Sequence, residues 1–172
     1  ILRRAYEAGI HKDRIILDPG IGFAKDFEQN LEMLRHPEVM KDLDMPMLLH
    51  VFYKSNSVYG AETRANHVRN LADRYPELKI IMAHLGGDVF HAMRVIKDCP
   101  NVYVDNSGSR GGGPDMRFAY DMVGADRLLF GSDSPIDAAP ALGQILDLDI
   151  SEEEKEKMLW KNAHKLFKED LR

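Results

Sequence analysis

Five short apolar runs set the strongest constraint on this chain. They start near residues 14, 46, 78, 101 and 127, at intervals of 23 to 32 residues, and each is stopped by polar residues, glycine or proline. Such an interval holds one strand, one loop and one helix. The pattern therefore predicts strands alternating with helices around a parallel sheet. The expected fold class is α/β, a parallel (β/α) repeat of about five βα units. With 172 residues the chain falls short of the about 250 that close an eight-stranded barrel. Residues 1–172 are read as a single partial-barrel domain.

The runs are Arg14–Asp18, Met45–Val51, Leu78–His84, Asn101–Asp105 and Leu128–Gly131. Apolar residues at helical spacing predict helices from Asp26 to about His36, over Ala61–Tyr75, over Asp88–Lys97 and over Pro114–Val123. A capping box, Ser151 with Glu154, opens a last helix running to about Phe167. Ile1 to Gly9 reads as the last turns of a helix stopped by Gly9, as expected of a piece of a longer chain or the product of joining two.

Parallel strands deliver their C-terminal residues to one rim. Three runs end there in side chains able to bind a metal: His50, His84 and, after Gly131-Ser132, Asp133. Two imidazoles and a carboxylate could converge on one divalent ion. Such an ion can lower the pKa of bound water to about 7, while a carboxylate beside it moves protons. A strand-end histidine is by itself more often a hydrogen-bonded structural residue, so the weight lies in the combination.

Composition narrows the partners. The net charge of -5, the pI near 5.8 and the scattered Lys and Arg leave no basic footprint for nucleic acid. A single cysteine, Cys99, excludes an internal disulfide and fits a reducing compartment. No apolar run approaches the about 18 residues of a membrane helix. The expected location is cytoplasmic and the expected partner a small molecule. Arg110, before Gly111-Gly112-Gly113, could clamp a substrate carboxylate, and Asn106 at its strand end is a second substrate candidate. His91 and His164 fall on helices and read as structural or solvated, and Met40, Met45, Met47 and Met82 as core filling.

Four motifs in order, His84-Leu85-Gly86-Gly87, Asn101 to Gly108, Gly131-Ser132-Asp133-Ser134-Pro135 and Asn162 to Phe167, resemble the amidohydrolase superfamily. The branch they resemble is that of aminocarboxymuconate semialdehyde decarboxylase, and the likeness runs over about 46–168. It implies a TIM barrel, here a partial one, with zinc or another divalent metal. His50, His84 and Asp133 would stand as the fifth-, sixth- and eighth-strand ligands, with Asp133 also the general acid/base. The family's first-strand HxH pair has no counterpart in this sequence.

A second likeness covers about 5–55. Ile15 to Lys25, Asn30-Leu31 and Tyr53-Lys54-Ser55 are similar to dihydropteroate synthase, another TIM barrel, in its pterin-binding segment. It implies that Asp18, Asn30 and Lys54 bind a pterin: a carboxylate can pair with an amino-pyrimidine edge, and a lysine can donate to its carbonyl. The two resemblances overlap at the strand Met45–Val51, which predicts a chimera of two barrel pieces. Three functions stand as expectations: a metal-dependent hydrolase or decarboxylase acting on a small carboxylated or cyclic substrate, a pterin-binding transferase remnant, and a non-catalytic barrel fragment. An open sheet edge would offer the last of these a second copy to pair with.

Overall fold

A computed structural model of the chain describes residues 2–11, 14–15, 27–36, 46–52, 63–108 and 112–167. Its centre is a four-stranded parallel sheet. The strands are β1 (Met47–Leu49), β2 (Ile80–Met82), β3 (Val102–Asp105) and β4 (Leu128–Leu129), paired in chain order with Met47 opposite Ile80, Ile80 opposite Val102, and Val104 opposite Leu128. Helices α1 (Leu2–Glu7) and α2 (Phe27–Arg35) precede the sheet; α3 (Ala65–Arg74), α4 (Val89–Ile96) and α5 (Gly113–Val123) connect its strands. After β4 come α6 (Ala138–Leu146), α7 (Glu152–Glu156), a π turn over Lys157–Lys161, and α8 (Asn162–Phe167).

Residue alternation along each strand divides the core in two. One face carries Met47, Leu49, Ile80, Met82, Val102, Val104 and Leu128, all buried against Val68, Leu71, Ala92, Met93, Ile96, Met116 and Ala119 of α3 to α5. The opposite face carries Leu48, Ile81, Tyr103 and Leu129, covered by Ala163, Leu166 and Phe167 of α8. A barrel has the same division between helix-facing and interior residues. Met47 and Met82 are core residues as expected, while Met40 and Met45 lie outside the described residues.

Polar ties lock the helices to the strands. The Arg127 guanidinium donates to the carbonyls of Ile96, Lys97 and Cys99 at 3.2, 2.7 and 2.7 Å, closing the end of α4. The Asn162 amide donates to Ala125 O and Leu128 O at 2.7 and 2.8 Å. The capping box is present: Glu154 N–H donates to Ser151 Oγ at 3.3 Å and Ser151 N–H donates to Glu154 Oε2 at 3.1 Å. Tyr120 of α5 donates its hydroxyl to Glu154 Oε1 at 2.6 Å.

The structure departs from the sequence reading in four places. Arg14 stands in a helical turn and Ile15 in no strand, and the rest of the run to Asp18 lies outside the described residues. The run Leu78–His84 keeps only its centre as strand, because His84–Gly86 forms a 3-10 turn with φ of 63° at His84 and 48° at Leu85. The C-terminal helix is interrupted by the π turn. Helix α6 is an addition to the expected elements: Pro140, tolerated within the first turn, conceals the spacing of its buried Ala141 and Ile145.

Two outcomes are expected from this packing. Gly86 has φ 76°, and a Cβ there would run into the Cβ of Ala92 and lie 3.1 Å from Met82 Cε. Gly86→Ala should therefore destabilise the fold by about 2–4 kcal/mol, read by chemical denaturation. The hydrogen bonds from Tyr120 and then Ser151 hold the Glu154 carboxyl below the usual carboxylate range. A lowered folded-state pKa gives stability that is present above the unfolded value and lost as pH falls through the folded one. Between about pH 5 and 3 the melting temperature should thus fall more steeply in the wild type than in Tyr120→Phe.

Candidate functional site

The register of the sheet brings the strand ends together. Ala83 N–H donates to Leu49 O at 3.0 Å, which sets His50 beside the residue preceding His84. With His84 in the left-handed region, its Nε2 lies 2.9 Å from His50 Nδ1, and the rings meet edge to face with centroids 4.7 Å apart. Phe52 closes on the same imidazole, 5.4 Å between centroids at 85°. His84 is buried and His50 exposed, so the pair runs from the interior to the rim.

Asp133 reaches this pair over a glycine. A Cβ on Gly108, whose φ is 52°, would lie 2.9 Å from Asp133 Oδ2 and 3.0 Å from His84 Nδ1. The carboxylate and the imidazole thus flank a space that only glycine leaves open. Asp133 is itself left-handed, φ 63°. Left-handed His84, Leu85 and Asp133 mark a strained rim, and strain of this kind persists where surrounding bonds over-determine it.

Those bonds come from β3. Asp105 Oδ1 accepts from the backbone N–H of His84 at 3.1 Å, from Ser107 N–H at 2.9 Å and from the Ser107 hydroxyl. Ser107 in turn faces His84 Nδ1 with its carbonyl oxygen at 2.8 Å and its Oγ at 3.0 Å. Asn106 ties the other side: its amide donates to Ala141 O at 2.7 Å and Gln144 Oε1 at 3.1 Å, and its Oδ1 accepts from Gly131 N–H at 3.2 Å. Only 1% exposed, it spends its amide on α6 and the end of β4.

Sequence reasoning gave no role to Asp105 or Ser107. The signal was the Asp-x-Ser spacing at the end of a strand, a pattern in which an acidic side chain accepts backbone N–H groups two residues on. Asp18, Lys54 and Arg110 lie outside the described residues, as does the side chain of Asn30 on α2. His91 is exposed and bonds Asn66 Oδ1 at 2.8 Å; buried His164 Nδ1 finds no hydrogen-bond partner among the described residues.

Two imidazoles and a carboxylate suit zinc or manganese, and His84 already turns its second ring nitrogen to a carbonyl, as metal-ligating histidines do. Among the described residues no group of three such side chains stands arranged to hold an ion. The direct His50–His84 hydrogen bond would have to open for His84 Nε2 to serve.

Known proteins are similar to this chain. Gamma-resorcylate decarboxylase of Polaromonas sp. is 29% identical over 76% of the chain and 53% of its own length. The crystal structure of dihydroxybenzoic acid decarboxylase from Polaromonas sp. JS666, with bound manganese and the inhibitor 2-nitroresorcinol, superposes with a TM-score of 0.63 at 27% identity, covering 81% of this chain and 54% of that one. A TIM-barrel protein of Bordetella bronchiseptica covers 97% of the chain at a TM-score of 0.71 and 20% identity, a likeness of fold. Dihydropteroate synthase of Clostridium beijerinckii is 51% identical over 51 residues, 30% of the chain and 19% of the synthase. The chain spans about half the length of these decarboxylases. The amidohydrolase family model matches residues 17–168, beginning earlier than the motifs that first suggested it, and the chain belongs to that family.

Proposed function

We propose that His50, His84 and Asp133 hold a divalent ion and that the site serves decarboxylation of a small hydroxylated aromatic acid. The observation that carries the reading is the meeting of three side chains at the strand ends: His50 Nδ1 lies 2.9 Å from His84 Nε2, and Asp133 Oδ2 flanks the same His84 ring across Gly108. The decarboxylase relatives supply the substrate class. When bound, the ion would offer positive charge to the carboxylate and a neighbouring hydroxyl oxygen of the substrate.

The remaining work falls to the chain's own side chains. Loss of carbon dioxide from an aromatic carboxylate breaks the ring–carboxyl bond, returns its electron pair to the ring carbon and requires a proton on that carbon. Asp133, exposed on the rim, would carry that proton. Phe52 stands against both imidazoles and supplies an apolar wall on which an aromatic ring could stack. Arg110 remains the candidate for a substrate carboxylate.

A second reading rests on the synthase likeness, 51% identical over 51 residues. In it the chain joins a synthase-derived segment, about 1–55, to an amidohydrolase-derived one, about 46–172, and Asp18, Asn30 and Lys54 retain a pterin. Pterin binding lost in Asp18→Ala would favour it.

Equilibration of the purified chain with manganese and with zinc, followed by metal analysis, tests the main reading. About one ion per chain is expected, with occupancy reduced at least about tenfold in His84→Gln and in Asp133→Asn. A wild-type chain that retains neither metal overturns it. Release of carbon dioxide from 2,6-dihydroxybenzoate by the loaded chain, and its loss in Asp133→Asn, tests the substrate class. Gly108→Ala places a methyl between His84 and Asp133 at a left-handed position; it should lower metal occupancy while costing about 1–2 kcal/mol of stability.

A further inference from the structure

We infer that Asp105 and Ser107 form a positioning relay that fixes the tautomer of both site histidines, reserving Nε2 of each as an unprotonated nitrogen. The reasoning is one of donors and acceptors. The Ser107 carbonyl, 2.8 Å from His84 Nδ1, can only accept. The Ser107 hydroxyl has one proton and gives it to Asp105 Oδ1, so toward His84 it too can only accept. Nδ1 of His84 must then carry the hydrogen.

The consequence passes outward. With Nδ1 protonated, neutral His84 has its lone pair on Nε2, and that lone pair faces His50 Nδ1 at 2.9 Å. His50 must therefore donate from Nδ1, and in the neutral ring its own Nε2 then carries no proton. Asp105 anchors the chain because one of its oxygens accepts from Ser107 N–H, from the Ser107 hydroxyl and from His84 N–H, holding the Ser107 carbonyl against the ring. Asp105, Ser107 and His84 are all buried, so water does not compete for these bonds. The relay is a property of the fold alone; only its use in metal binding rests on the function proposed above.

Nitrogen-15 spectra of the histidine rings, recorded on the metal-free full chain at about pH 8 where ordinary imidazoles are neutral, read the tautomers directly. Resonances are assigned by their loss in His84→Gln and His50→Gln. Both rings should be protonated at Nδ1 and bare at Nε2, and a His84 protonated at Nε2 overturns the relay. Asp105→Leu should turn His84 into an exchanging mixture, and Asp105→Asn, which keeps an accepting oxygen, should restore the fixed form. An Asp105→Leu ring that stays wholly Nδ1-protonated removes Asp105 from the relay.

Should Asp105→Leu fail to fold, Ser107→Ala decides. It keeps the carbonyl but removes the hydroxyl bridge, and should speed exchange of the His84 Nδ1 proton about fivefold, the equivalent of one net hydrogen bond; unchanged exchange overturns the role of Ser107. Manganese affinity measured on the same proteins should fall about 10–100-fold in Asp105→Leu. A fixed tautomer in a chain that binds no manganese would leave the relay standing and sink the metal site. Tight manganese binding with an Nε2-protonated His84 would do the reverse.

Discussion

The end of β3 is where this sheet is tied together. Two consecutive residues there face opposite neighbours. Asp105 accepts the backbone N–H of His84 beyond β2, and Asn106 accepts that of Gly131 beyond β4. Strand pairing in the ladders ends at Leu49–Met82, Met82–Val104 and Asp105–Leu129. Past those points the backbone groups need other partners, since buried N–H groups left unmade are costly. The side chains of Asp105 and Asn106 take over the work of the ladder, and the rim keeps a defined shape beyond the last β pair.

That substitution explains where the rim can hold strain. His84, Leu85 and Asp133 occupy the left-handed region, at a cost of about 1–2 kcal/mol each. Each strained residue lies just beyond a point that Asp105 or Asn106 secures: His84 by its own N–H, Asp133 two residues after Gly131. Side-chain acceptors can hold a turn in a direction that a regular ladder would not permit. The buried Asp105–Ser107–His84 set is satisfied throughout, as a polar network must be to specify one arrangement.

The architecture could be read from the sequence because it rests on period and interval, which single residues reveal. The strands at 47–49, 80–82, 102–105 and 128–129 lie inside predicted runs, and α2 to α5 fall within a few residues of their expected limits. The nearness of His50, His84 and Asp133 follows from the same intervals, each standing at or just after the end of a run. The reading fails where tertiary contacts override local pattern. Leu78–His84 looks like a strand to its end, yet Asp105, 21 residues later, captures the His84 N–H and favours a turn. The bonds of Asn106 are equally hidden, because its partners Ala141 and Gln144 stand on a helix that Pro140 conceals. No local pattern announces a bond across 35 residues.

The two resemblances meet in the same physics. The amidohydrolase match starts at residue 17 and so includes Asp18 to Lys25, the stretch whose wording is most like the synthase. One βα unit of a barrel asks little of its neighbours: alternate residues facing the helices, alternate residues facing the interior, and a register with the next strand. β1 meets these demands through Met47 and Leu49 on one face, Leu48 on the other, and pairing to Ile80–Met82. A strand that satisfies them can belong to either lineage without disturbing the sheet. Chemistry is less forgiving, because it depends on the side chains presented past the strand's C-terminal end. After β1 the chain supplies His50 and Phe52, and these engage His84. The register that pairs Leu49 with Met82 therefore brings His50 to His84, whatever the origin of the chain before β1.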